Sequence, residues 1–319
     1  MTRILGRFDR YQKLIIAVLL IVFLFVLGQL TVSNFLSVSQ VLLTVKLSSF
    51  IALFGLCQMI VIAGGGSGLD LSVGYTATVT AVLTATMMDG KNQNLWIAVL
   101  AALAIGLVVG AMNGTLAAYV KLPPLVVTLA MAQILQGAIN VYTAGHNITG
   151  RPSPVLQIIA AKSTGIFPNI LFILLIVTPL IMIVTYKTSL GLKLFGTGTN
   201  ETAAFLAGVN VRRVRFTSYV ASGVLASLIG LLLLGNMGIA FKDMGSNYVM
   251  PSIAAAVVGG VSLTGGDGNY LGVILGAIFL QTLTNLLVAL GWGDAGKWLG
   301  FGIVLFILLI VYVSNRRRK

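Results

Sequence analysis

An all-α polytopic membrane protein with about ten transmembrane helices is the fold class this sequence predicts. Three observations carry the prediction. Hydrophobic residues make up 58% of the 319, and the mean hydropathy is +1.03. Charged residues make up only 8%, against roughly 25% in soluble domains. The apolar runs have the length of helices rather than strands, and a helix satisfies its own backbone hydrogen bonds in lipid.

Taken in order, the candidate spans are Leu14–Leu30, Leu47–Ala63, Val73–Met88, Leu95–Val120, Leu125–Thr143, Ile170–Tyr186, Phe216–Ala240, Pro251–Leu263, Tyr270–Leu290 and Trp298–Val313. The first has a basic flank but no small-residue cleavage site before Lys46, and is read as a retained span. Pro251–Leu263 is well short of the roughly 20 residues of a full crossing and reads as a half-helix or tilted segment. With the N-terminus inside and strict alternation, inside segments hold 14 Lys and Arg and outside segments hold six. That asymmetry predicts an even number of spans with both termini cytoplasmic. The longest outside loop, Ala144–Asn169, carries His146, Arg151 and the turn Pro152-Ser153-Pro154, and is long enough to touch an external partner. The chain reads as one transmembrane domain, residues 1–319, with no second soluble domain.

The net charge of +13 would point to nucleic acid in a soluble protein. Here the cations flank spans, where anionic headgroups and topology place them, and no nucleic-acid role is expected. One cysteine, Cys57, excludes an intrachain disulfide and a thiolate cluster. One histidine and seven acids leave little for a metal site or catalytic relay, so neither is expected. Gly291–Trp298 mimics a phosphate-binding loop. It has Trp298 where Ser or Thr should ligate magnesium, and no preceding strand, so it reads as a hairpin between spans. The sequons Asn147-Ile148-Thr149 and Asn200-Glu201-Thr202 are weak three-residue matches.

Two glycine-rich elements, 64–74 and 259–268, each end an apolar run and present one aspartate, Asp70 or Asp267. A carboxylate at bilayer depth costs about 2.5–3.5 kcal/mol, so such a residue has a partner or a function. Capping of the following helix is favoured over direct solute contact. Gly106, Gly110 and Gly114, and again Gly268, Gly272 and Gly276, recur every fourth residue, a spacing that lets helices approach closely within a chain or across a dimer. On Leu125–Thr143, the residues Thr128, Gln133, Gln136, Asn140 and Thr143 share roughly 140° of helical arc. Uncharged donors and acceptors on one face suit a hydroxyl-rich solute or, equally, interhelical hydrogen bonds. Gln281 and Asn285, and Asn113, admit the same two readings. Asp70 and Ser72 complete the set of translocation-path candidates.

The longest polar interval, 187–215, carries five cations and one acid, Glu201, and is expected in the cytoplasm. Asn200 is a candidate N-cap, Glu201–Ala207 a short helix and Gly208 its stop. This helix is expected to receive force from a soluble partner.

These motifs resemble the permease subunit of ribose-type, monosaccharide-importing ABC transporters. The resemblance rests on Gly66–Gly74, Gly110–Gly114, Lys121–Leu129, Gly196–Val211, Ser252–Gly260 and Gly265–Gly268, in the family's order from about Ile60 to Val313. Leu69 replaces the family's usual isoleucine, and Met250-Pro251 stands where many relatives have an acid. The resemblance implies a type II importer-like permease of the bacterial inner membrane. It would act as a pair, with an extracytoplasmic sugar-binding protein outside and ATPase subunits inside. ATP and magnesium would be held by the ATPase and no cofactor by this chain. It further implies ATPase coupling through Glu201, Ala203, Ala204, Gly208 and Asn210. The residues leave other readings open: another solute such as a branched-chain amino acid or nucleoside, a proton-coupled carrier, or a membrane-embedded transferase.

Overall fold

The computed structural model describes residues 2–143, 148, 150–293, 295–300, 302, 303 and 306, with side chains from residue 14 onward. The described helices are α1 (Thr2–Thr31), α2 (Val38–Ala63), α3 (Val73–Met88), α4 (Leu95–Gly114), α5 (Pro124–Thr143), α6 (Pro154–Ala160), α7 (Ile170–Lys187), α8 (Ser189–Thr199), α9 (Glu201–Leu206), α10 (Val211–Met237), α11 (Val249–Val258) and α12 (Tyr270–Ala289). Seven helices among the described residues are long and apolar enough to cross a bilayer, and α3 and α11 are shorter apolar helices. Nine of the ten expected spans coincide with a helix. The tenth, Trp298–Val313, lies largely outside the described residues, as do His146, both ends of the sequon at 147 and the tail 316–319.

The boundaries moved where charge had been taken as an edge. α2 begins at Val38 rather than Leu47, capped by Ser37, whose hydroxyl accepts from the Gln40 amide. Lys46 therefore sits inside a helix, and its Nζ reaches out to donate to the Ala161 carbonyl at 3.0 Å. α10 begins at Val211 rather than Phe216, so Arg212, Arg213 and Arg215 are helical, with Asn210 accepting from the Arg213 amide at 3.0 Å. α4 ends in a π-helical turn, Thr115–Tyr119, and the positive φ at Lys121 and the prolines after it stop the helix. Pro251–Leu263 falls on the ten-residue α11, which follows a 3-10 turn, Ser246–Tyr248. At 1.5 Å per residue this is about 15 Å, half of a bilayer core. Gly259 and Gly260 end it, Gly260 with φ +86.

The two ends of the helix bundle are held by different contacts. At one end, the α2–α3 connection, the end of α8 and the α11–α12 connection meet at glycines. A Cβ on Gly65 would stand 2.8 Å from Gly198 Cα, and one on Gly265 would stand 2.6 Å from Gly65 Cα. The Gly266 amide donates to the Ala63 carbonyl at 3.0 Å. At the other end, the loop after α5 folds back over the helix ends. The Gly90 amide donates to Arg151 O at 2.9 Å and Val155 N to Asn92 Oδ1 at 3.1 Å. A two-residue antiparallel pairing, Ser163–Thr164 with Phe167–Pro168, completes that loop.

α3 is buried on nearly all sides, unlike an ordinary lipid-facing span. Its buried threonines Thr76, Thr80 and Thr84 each return a hydrogen bond to the carbonyl four residues back, at 2.9, 2.8 and 2.6 Å. Both glycine stripes pack within the chain. Gly106, Gly110 and Gly114 face α10, and Gly268, Gly272 and Gly276 face Met59, Gly259 and Ala255. A Cβ on Gly110 would meet Tyr219 O at 2.6 Å and Val220 Cα at 2.7 Å. Backbone cannot yield as a side chain can. Gly110→Ala is therefore expected to destabilise by about 1–3 kcal/mol, seen as a lower thermal midpoint in detergent. An unchanged midpoint would mean that the α4–α10 crossing is looser than described.

Candidate functional site

The α2–α3 connection carries the densest polar cluster. Asp70 is 1% exposed. Its Oδ1 accepts from the Ser72 amide at 3.0 Å and the Ser72 hydroxyl at 2.6 Å, and its Oδ2 accepts from Ser222 Oγ of α10 at 2.8 Å. Ser72 Oγ in turn accepts from Asn113 Nδ2 of α4 at 2.9 Å. Gln58 of α2 pairs with the Asp70 backbone in both directions, donating to Asp70 O at 2.8 Å and accepting from Asp70 N at 3.3 Å. Thr128 of α5 donates to Leu69 O at 3.2 Å and to Pro124 O at 3.0 Å. Four path candidates, Asp70, Ser72, Asn113 and Thr128, thus meet in one cluster that ties α2, α3, α4, α5 and α10 together. Asp70 holds Ser72, the residue that opens α3, without itself accepting from an amide of that helix's first turn. Asn269 caps α12, accepting from the Leu271 amide at 3.1 Å, and Asp267 is exposed.

The remaining path candidates divide between two places. Gln281 and Asn285 belong to a chain of side-chain bonds between α12 and α2. Gln281 Nε2 donates to Asn285 Oδ1 at 2.9 Å, and Asn285 Nδ2 donates to Thr44 Oγ1 at 2.8 Å. On α5 the polar face is graded: Thr128 and Thr143 are buried, Gln136 is half-buried, and Gln133 and Asn140 are exposed. Gln136 Oε1 and Asn113 Oδ1 are buried acceptors without a partner. Such groups cost about 1–3 kcal/mol when left unmatched and are natural contacts for a hydroxyl donor.

The central loop forms the helix expected of it. Asn200 Oδ1 accepts from the Ala203 amide at 2.9 Å and opens α9. Gly208, φ +80, closes it, with Gly208 N donating to Phe205 O at 2.9 Å and Val209 N to Ala204 O at 3.0 Å. Glu201, Ala203, Gly208 and Asn210 are exposed. Ala204 is buried against the protein, between the exposed Ala203 and Phe205. Phe205 and Leu206, 69% and 79% exposed, are the large apolar groups this helix presents.

Sequence reasoning passed over Gln58, Ser222 and Arg215. Gln58 and Ser222 sit inside apolar runs, where isolated polar residues are common and carry no spacing signal. Arg215 was one cation of five. In the structure it forms a two-pronged pair with Glu201, Nη1 to Oε1 at 3.3 Å and Nη2 to Oε2 at 2.7 Å. It also lies over Gly66, where a Cβ would meet its Cζ at 2.9 Å.

Comparison with known proteins bears on what these features do. The family model described as the branched-chain amino acid transport system / permease component matches residues 40–313. The ribose import permease protein of Escherichia coli is 31% identical over 311 residues, covering 96% of this chain and 94% of that protein. The autoinducer 2 import system permease proteins of Salmonella typhimurium and Salmonella typhi are 32% and 33% identical, covering 95% of this chain and 85% of each relative. No solved structure gives a significant match.

Proposed function

This chain belongs to the branched-chain amino acid transport system / permease component family, and from that premise we propose that it is the membrane permease of an ATP-driven importer for a monosaccharide or a similar small furanosyl compound. The observation that carries the reading is the end-to-end similarity to a ribose import permease, over 94% of that protein's length. The polar groups of α5 and its neighbours support it, because the candidate path offers uncharged amides and hydroxyls. A zwitterionic amino acid would call for paired charges or helix ends instead. The chain does no covalent chemistry in this reading. ATP and magnesium belong to a partner ATPase that docks on α9, and a binding protein delivers solute to the face formed by the loop after α5. A second permease copy completes the path, along the exposed polar side of α5. The chain lies in the bacterial inner membrane with the central loop and both termini in the cytoplasm.

The test is uptake by proteoliposomes holding this chain with the ATPase and binding protein that co-purify with it from its host. ATP-dependent accumulation of labelled ribose or a related sugar, with leucine excluded, is the expected result. Uptake without ATP would replace the importer by a carrier. Gln136→Leu removes the unpartnered amide oxygen from the proposed path and is expected to raise the half-saturating sugar concentration about tenfold, the worth of one hydrogen bond of about 1.4 kcal/mol. Unaltered uptake kinetics would take Gln136 out of the path.

A further inference from the structure

We propose that the cavity beneath α9 is a binding site for a phosphate-bearing anion, supplied either by a lipid headgroup or by a soluble phosphorylated compound. The cavity, about 1090 Å³, lies between α9 and the α4–α5 connection and is lined by Lys121, Arg212 and Arg215, with Glu201 as its acid. Glu201 is matched by Arg215. Lys121 and Arg212 form no ion pair or side-chain hydrogen bond among the described residues, so two positive charges face the cavity uncompensated. One further donor belongs to the lining: Arg215 Nε is buried without a hydrogen-bond partner, beside the buried Tyr219, 3% exposed.

The chemistry of recognition follows from the donors. Guanidinium and ammonium groups lining one cavity suit a tetrahedral oxyanion, and charge-assisted bonds to phosphate are about twice as strong as neutral ones. The volume exceeds what a bare phosphate fills, and Phe205 supplies an apolar wall. The ligand is therefore a phosphate carrying an organic group. Glu201, Thr202 and Phe205 line the cavity, so an occupant rests against α9 and bears on how that helix is presented. The site itself does not depend on the transport reading, because binding is measured directly.

The experiment uses the full chain in phosphatidylcholine nanodiscs. Inorganic phosphate is titrated in solution by calorimetry, and in a second arm phosphatidylglycerol is added to the nanodisc and its retention read by native mass spectrometry. At least one probe is expected to bind. The pair Lys121→Gln and Arg212→Gln is expected to weaken it at least about tenfold, while Lys193→Gln, a central-loop cation outside the cavity lining, leaves it unchanged. Retention of the lipid alone assigns the headgroup, and binding of phosphate assigns the soluble source. No binding of either probe, or an equal loss in Lys193→Gln, overturns the proposal. Matching thermal midpoints for the three proteins establish that the variants are folded.

Discussion

Asp70→Ala is expected to abolish accumulation of the folded permease, whereas Asp70→Asn is expected to fold and transport. The carboxyl group accepts from the Ser72 amide, the Ser72 hydroxyl and the Ser222 hydroxyl, and it is almost fully buried. Alanine leaves those donors without an acceptor in a dry interior. Each buried donor left without its acceptor costs about 1–3 kcal/mol, and three of them together take a large part of a typical stability of 5–15 kcal/mol. Asparagine keeps one carbonyl oxygen for Ser72 and turns an NH₂ toward Ser222, whose hydroxyl can rotate to accept it, so the loss is about 1 kcal/mol. Size-exclusion profiles and thermal midpoints of the two variants, followed by uptake, make the check. If Asp70→Asn folds normally yet takes up no solute, the negative charge itself works in transport and the clamp account is insufficient. If Asp70→Ala is as stable as the parent, the cluster around Ser72 contributes little to holding α2, α4 and α10 together.

Where the sequence was readable, one local rule decided the outcome. Apolar length placed nine of the expected spans on helices. Asn200 and Gly208 announced both ends of α9, because capping chemistry acts within a few residues. The short run after Pro251 was recognisable as a partial crossing by length alone. The glycine stripes announced close packing, yet which helix they would meet was not local information. Gly110 faces Tyr219 and Val220, more than a hundred positions away. The same holds for the clamp. Asp70 could be seen as a costly acid, but its bond to Ser222 spans 152 residues and leaves no spacing to read. Charge misled at the boundaries of α2 and α10, because Lys46 can extend its stem out of a helix to Ala161 and Arg215 finds Glu201 across the turn. The α5 polar face was legible as a face. Its division into buried Thr128 and exposed Gln133 and Asn140 depended on neighbours from α3 and α4.

Charge reversal at Glu201 combined with a bulky residue at Gly208 is expected to leave ATP hydrolysis by the assembled importer running while uptake falls at least about tenfold. The energetics exclude a simple folding defect. The Glu201–Arg215 pair is partly exposed, with side chains 57% and 23% accessible, and such pairs contribute about 1 kcal/mol or less. Gly208 has φ +80 and no atom within 4 Å of an added Cβ. A side chain there meets left-handed strain of about 1–2 kcal/mol and no steric clash. Together these losses are too small to unfold a protein of ordinary stability, but they act on one six-residue helix. Glu201→Arg sets like charges against Arg215, which lies over Gly66 of the α2–α3 connection. Seven residues, two helical turns, farther along α10, Ser222 holds Asp70. Motion received by α9 thus has a contiguous path through Arg215 and α10 to the clamp, and the variant severs its first step. Exchange of the pair, Glu201→Arg with Arg215→Glu and glycine kept at 208, restores the attraction and is expected to recover part of the uptake. Paired ATPase and uptake assays on the same proteoliposomes decide the matter. Uptake at the parental rate in the Glu201 and Gly208 double variant would remove α9 from coupling. Loss of hydrolysis together with uptake would mean that the helix serves assembly rather than transmission.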